Sequence, residues 1–90
     1  MSIKIAIPLY LQPLTNNTEV VELNGSTLGE CLNHLVKQFP RMEKMLFDKN
    51  GKLFGYVAIY VNGEDAYPEE LVKPVKDGDE LYILYIIGGG

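Results

Sequence analysis

A mixed β-sheet wrapped around one main helix, an α+β arrangement, is the fold class this 90-residue sequence predicts. Three observations predict it. Short alternating segments near the start read as a hairpin, a capped apolar stripe from Thr27 reads as a helix, and a strongly apolar run from Glu80 to Ile87 reads as a late strand. Chains divide at about 100 to 200 residues per unit, so the sequence makes one domain. Residues 1–87 are expected to fold, with residues 88–90 as a glycine tail.

The elements follow in order. Ile3, Ile5, Ile7, Leu9 and Leu11 fall on one face and Lys4, Ala6, Pro8 and Tyr10 on the other, the period of a half-buried strand. Pro8 cannot donate to a ladder, which predicts an edge or a bulge there, and Pro13 with Asn16-Asn17 marks a turn. Thr18 to Leu23 completes the hairpin, closed by Asn24-Gly25. Thr27 and Glu30 then form a capping box, hydroxyl and carboxylate taking orphan N–H groups at a helix start. Leu28, Cys31, Leu32, Leu35, Val36 and Phe39 recur at helical spacing until Pro40 stops the helix.

Met42, Met45, Leu46 and Phe47 predict an irregular or single-turn segment closing the bottom of the core before the Asp48-Lys49-Asn50-Gly51 turn. Phe54 to Val61 is a third strand, with Val57, Ile59 and Val61 alternating against Tyr56, Ala58 and Tyr60, ended by Asn62-Gly63. Glu64 to Lys76 reads as loop with one helical turn or a short strand. After the Asp77-Gly78-Asp79 turn, Glu80 to Ile87 suits a strand buried on both faces. It is expected to be central, since a long apolar edge invites aggregation. The order of elements is that of a β-grasp.

Eight basic against twelve acidic residues give a net charge of -4, the wrong sign for neutralising phosphates, and the lysines are scattered. Nucleic acid is excluded as an expected partner, and an acidic surface suits a basic cleft on another protein. No apolar run approaches the roughly 20 residues of a bilayer span, and Met1-Ser2-Ile3-Lys4 lacks the regions of a signal peptide. These features predict a cytoplasmic protein with no membrane partner. A single cysteine, Cys31, excludes an internal disulfide and a cysteine-rich zinc site.

The sequence ends in Gly88-Gly89-Gly90. Glycine has the most backbone entropy to lose and no side chain to bury. Following directly on an apolar strand, such a tail presents its terminal carboxylate on a thread that fits a tunnel too narrow for any Cβ. A carboxylate is a poor electrophile, so acyl chemistry at Gly90 requires prior activation, for example as a mixed anhydride with AMP formed by a separate enzyme. No Gly-rich phosphate loop or metal-ligand cluster is legible in the sequence, and one His with one Cys makes no nucleophile constellation. The expected role is therefore acyl supplier, not catalyst.

With those residues in hand, the chain resembles the ubiquitin-like sulfur carriers of the MoaD/ThiS family. The residues that carry the likeness run from Ile7-Pro8 through Thr27-Leu28-Gly29, Val57-Ala58-Ile59-Tyr60-Val61-Asn62-Gly63 and Asp77-Gly78-Asp79-Glu80 to Gly89-Gly90. Gly51-Lys52-Leu53 leading into Ile59-Tyr60-Val61-Asn62 and Glu64-Asp65 is most similar to the branch that delivers sulfide for cysteine or homocysteine synthesis. The resemblance implies that an E1-like enzyme adenylates Gly90 with ATP and that a sulfur donor converts the adenylate to a thiocarboxylate. It further implies a pyridoxal-phosphate sulfhydrylase as acceptor and a zinc metalloprotease of the JAMM type to free the carrier. ATP and pyridoxal phosphate belong to those partners, and no metal or cofactor is expected on this chain. The chain departs from many relatives in its third glycine, and Tyr85-Ile86-Ile87 replaces the proline-containing approach of molybdopterin carriers. Molybdopterin or thiamine sulfur carriage, and conjugation to lysines as a protein modifier, stand as the alternatives, beside a plain interaction module with an inert end.

Cys31 sits on the apolar stripe and reads as a small buried hydrophobe, and His34, off the stripe, as a solvated helix residue. Asp77, Asp79 and Glu80 are explained by turn chemistry, since the loop lacks the ligands of a cation site. The aromatic residues are more numerous than one sheet face needs. Tyr60, Tyr85, Ile87 and Gly88 are therefore the expected partner-binding residues, on the sheet face without the helix and the strand leading to the tail. Gly89 and Gly90 are the expected reactive end.

Overall fold

The computed structural model describes residues 2–86. Strand β1 (Ile3–Ala6) is shorter than its alternation predicts, because Pro8 offers no N–H to a ladder. At φ −61° and ψ 151°, Pro8 leads the chain into a 3-10 segment, Leu9–Thr15. Leu11 N–H donates to Pro8 C=O at 2.9 Å, and the Gln12 side-chain amide donates to Ile7 C=O at 3.0 Å. The predicted face therefore holds only through Ile7; Leu9 is exposed and Leu11 buried on the 3-10 segment. Asn16 and Asn17 take positive φ and return the chain into β2 (Val20–Leu23), antiparallel to β1 with Ile3 opposite Leu23. β1 is an interior strand, so the expected edge or bulge at Pro8 is replaced by the end of the strand.

Helix α1 (Leu28–Gln38) begins at the predicted cap, with the Glu30 carboxylate reaching Ser26 N–H, one residue before the Thr27 N–H that a capping box pairs. Glu30 N–H donates to Thr27 Oγ1 at 3.2 Å, and Ser26 N–H donates to Glu30 Oε1 at 2.7 Å. Leu28, Cys31, Leu32 and Leu35 are fully buried, with Val36 and Phe39 at the margin. Pro40 opens a 3-10 turn (Pro40–Met42) that runs into a single-turn helix, α2 (Glu43–Leu46), whose Met42 and Leu46 close the core. Asp48 then shapes the next turn: its carboxylate accepts from Asn50 N–H at 2.8 Å and Lys52 N–H at 3.1 Å.

The third strand, β3, spans Val57–Val61 rather than starting at Phe54. Phe54 C=O accepts from Val57 N–H at 3.0 Å, which closes a turn where the sequence pattern continued a strand. Asn62 and Gly63, at φ 52° and 87°, make the two-residue hairpin into β4 (Glu64–Asp65). The following stretch contains both candidates, the short β4 and a 3-10 turn at Glu70–Val72. That turn packs so closely on α1 that a Cβ at Gly29 would lie 2.7 Å from Leu71 O.

Strand β5 (Glu80–Tyr85) completes a five-stranded sheet of order β2-β1-β5-β3-β4. It is central, parallel to β1 and antiparallel to β3. Burial on both faces is not what the structure shows, because α1 covers only one side. Leu81 and Ile83 enter the core, while Tyr82 and Leu84 are 44% and 47% exposed. The result is the β-grasp arrangement expected from the element order. No helix among the described residues is long and apolar enough to cross a membrane.

Candidate functional site

In the sequence the central strand is followed after two residues by the three glycines, so the site is built from the two faces of β5 and the elements around its last residues. Gly88, Gly89, Gly90 and Ile87 lie outside the described residues. Ile86 is the last described residue, and its N–H donates to Tyr56 C=O at 2.7 Å.

Tyr85 pairs in register with the buried Val57 and so turns to the helix side. Its phenol donates to Met45 C=O in α2. Its ring meets Tyr10 edge-on at 5.0 Å and Tyr56 edge-on at 5.5 Å, and Tyr56 stacks on Phe54 at 5.1 Å. Burial raises the Tyr85 phenol above its ordinary value, and the neighbouring Tyr10 and Tyr56 phenols add to the shift. These four rings form a collar at the end of β5. Tyr10 reaches it only because the 3-10 segment after Pro8 carries it to that end of the sheet.

The open face is a separate surface. Tyr60 pairs with Tyr82, Ala58 with Leu84, and Ala6 with both Val20 and Tyr82, so apolar side chains run across four strands. Lys4, flanked in register by Glu22 and Glu80, begins the polar margin. The structure thus places Tyr60 and Tyr85, expected on one face, on opposite sides of the sheet. Tyr56 likewise leaves the open face for Phe54 and Tyr85.

At the start of β5 the structure holds a polar latch, which gives Asp79 a role beyond the turn chemistry that its sequence context predicts. Asp79 is buried; its carboxylate accepts from Asn62 Nδ2 at 2.9 Å and from Lys76 N–H at 2.8 Å. Asn62 Oδ1 in turn accepts from Glu80 N–H at 2.9 Å, tying the β3–β4 turn to β5. The Asn62 amide, the Lys76 N–H and the Lys76 charge hold the Asp79 carboxyl below its ordinary value despite burial. The signal was present in the spacing of an Asn-Gly turn and an Asp-Gly-Asp turn, but pairing them needs the β3–β5 register.

Cys31 is fully buried, and burial, with the Glu30 and Asp79 charges, pushes its thiol up, away from nucleophilic use. His34 is more than a solvated residue: its Nδ1 accepts from Asn24 N–H at 2.9 Å, fastening the β2–α1 loop. Among the described residues no group of three His, Cys, Asp or Glu side chains is placed to hold a metal ion.

With this geometry in view, residues 6–90 match the ThiS family. The sulfur carrier protein CysO of Mycobacterium tuberculosis is 34% identical over the full length of both chains. Small archaeal modifier protein 1 of Haloferax volcanii is 32% identical over 83% of this chain and 84% of its own. A chain of the crystal structure of the Amycolatopsis orientalis BexX/CysO complex superposes with a TM-score of 0.87 at 31% identity, covering 98% of this chain and 99% of that one.

Proposed function

The chain belongs to the ThiS family, and on that premise we propose that it carries sulfur as a thiocarboxylate on Gly90 for the synthesis of cysteine or homocysteine. The observation that supports this best is the position of Gly88-Gly89-Gly90 immediately beyond Ile86-Ile87, at the end of the sheet's central strand, in a chain that aligns with a sulfur carrier over its whole length. An E1-like enzyme binds ATP, and the Gly90 carboxylate attacks its α-phosphorus, expelling pyrophosphate. A sulfide-level donor then attacks the acyl carbon and AMP leaves with one carboxylate oxygen. The thiocarboxylate sulfur bonds to the acceptor held by a pyridoxal-phosphate sulfhydrylase, which leaves Gly90 joined to the product as its acyl group. A JAMM-type metalloprotease hydrolyses that acyl bond, so that water restores the Gly90 carboxylate and the product departs with the sulfur. The protein is thus a substrate of its partners and works in the cytoplasm.

The open face is the docking surface for the activating enzyme in this reading. Tyr82 and Leu84 project from the very strand that leads to the tail, so binding there delivers Gly90 in a fixed direction. Replacing either by Glu should raise KM for the carrier in ATP–pyrophosphate exchange while the protein stays folded; unchanged kinetics would discard this surface. The carrier reading itself is tested by intact mass of the protein from its native cells under thiol-free conditions. A species heavier by the difference between sulfur and oxygen, mapped to Gly90 and lost on alkylation, is the expected result. The likeness to an archaeal modifier protein favours a second reading, in which Gly90 is transferred to lysines. Only the plain acid, with Gly-Gly remnants on lysines of other proteins, would replace the first reading by the second.

A further inference from the structure

Strand β4 covers only half of β3. Their register pairs Tyr60 with Asp65 and Val61 with Glu64, and the last bond on that side runs from Ala66 N–H to Ile59 C=O at 2.9 Å. Peptide groups alternate sides along a strand, so Val57 C=O points the same way as Ile59 C=O, with no described strand opposite it; Val57 N–H on that side already donates to Phe54 C=O, so the edge offers a single carbonyl acceptor. The chain turns away at Tyr67-Pro68, and the space it leaves is a groove of about 680 Å³ beside the uncovered edge. Phe54, Val57 and Leu71 form its apolar interior. Tyr67 and Val72, 73% and 64% exposed, stand on its lip with Ile86.

A strand carbonyl without a described partner beside an apolar groove takes an extended backbone, anchored by one N–H of that backbone at Val57 C=O and by alternate side chains in the groove. Charge decides whose. Asp65, Glu69 and Glu70 line the groove against the single Lys52. A second copy of this chain, joined edge to edge about a two-fold axis, would bring the same carboxylates against themselves. We infer that the uncovered half of the β3 edge docks an extended segment of a partner protein in which basic and apolar residues alternate. Apolar side chains enter between Phe54 and Leu71, and basic ones meet Glu69 and Glu70. This surface is distinct from Tyr82 and Leu84 on the open face, so the carrier can be held here by one partner while another takes its tail.

The test is an amide-resonance titration of the full isotope-labelled chain with three short acetylated peptides. One alternates lysine and valine, one alternates glutamate and valine, and the third is the lysine peptide N-methylated at alternate backbone amides. The lysine peptide should shift Val57, Ala58, Tyr67 and Val72 and leave Tyr82 and Leu84 in place. The glutamate and N-methylated peptides should bind at least about tenfold more weakly, and the Glu69→Lys, Glu70→Lys double variant should weaken the lysine peptide to the same degree. Equal binding by all three peptides, shifts confined to Tyr82 and Leu84, or no shifts at millimolar peptide would each overturn the inference. Self-association through the same edge at rising protein concentration would replace it with a dimer. None of these results depends on Gly90 or on the carrier reading.

Discussion

The two ends of β5 are held by different physics. Its start is held by directed bonds: the buried Asp79 carboxylate, the Asn62 amide and the Lys76 and Glu80 N–H groups close a network in which each polar atom named has a partner. Its far end is held by aromatic contact, with the Tyr85 phenol bond to Met45 and the Ile86 N–H bond to Tyr56 as its directed links. Hydrogen bonds to a buried charge fix a register, whereas ring contacts are less directional and hold a position. The difference teaches how one strand in the middle of a sheet can be fixed by register at one end and by packing at the other. The register is set at the end away from Gly88-Gly89-Gly90, three residues with no side chain.

The comparison breaks most completely at the point the two ends share. Ile83, buried and opposite Ile59, lies between them, and Ile83→Ala should cost about 2 to 5 kcal/mol through an unfilled cavity, read by urea unfolding. The latch comes next. Asp79→Ala removes the acceptor for Asn62 Nδ2 and Lys76 N–H and should cost about 1.5 to 3 kcal/mol. Because the folded carboxyl lies below its ordinary value, its contribution is fully present above the unfolded carboxylate range, about pH 4, and is lost as pH falls through the folded value. Unfolding curves of the native protein and Asp79→Asn should therefore converge in acid; a constant gap would show that the latch works without its charge.

A smaller effect is expected at the collar. Tyr85→Phe keeps the ring contacts and loses one phenol bond, about 1 kcal/mol, and should leave the Asp79-dependent acid response unchanged. A change in that response would show that the two ends are coupled. The smallest effect on folding belongs to the tail: deleting Gly90 should move unfolding by less than about 0.5 kcal/mol while abolishing ATP–pyrophosphate exchange with the activating enzyme. Exchange at the native rate would remove Gly90 from the chemistry.

Much of this was legible in the residues. Thr27 and Glu30 announced the helix because a capping box is a local bargain between neighbours, and Pro40 announced its end because a missing N–H acts locally too. Asn62-Gly63 announced its tight turn for the same reason, since two positive φ values are a property of the pair itself, while the hairpin it makes with β4 came from the structure. The misreadings share the opposite character. Period-two alternation runs unbroken from Ile3 to Leu11, yet strand pairing stops at Ala6, because a ladder depends on a neighbour and alternation does not record one. The apolar run at Tyr82-Ile83-Leu84 suggested burial on both faces, but apolar residues on an exposed sheet face look the same in sequence as those under a second layer.

The sequence by itself determined the order of elements, the helix and its limits, the central place of the last strand and the glycines that follow it. Each of these depends on groups within a few residues of one another or on the cost of leaving an apolar strand at an edge. The tertiary structure alone decided that Tyr60 and Tyr85 part to opposite faces, that Tyr10 joins the collar, that Asp79 meets Asn62, and that half of β3 is left uncovered. Those are matters of register between strands distant in the chain. A shift of one residue there would exchange every side chain between core and surface, which no local pattern can specify.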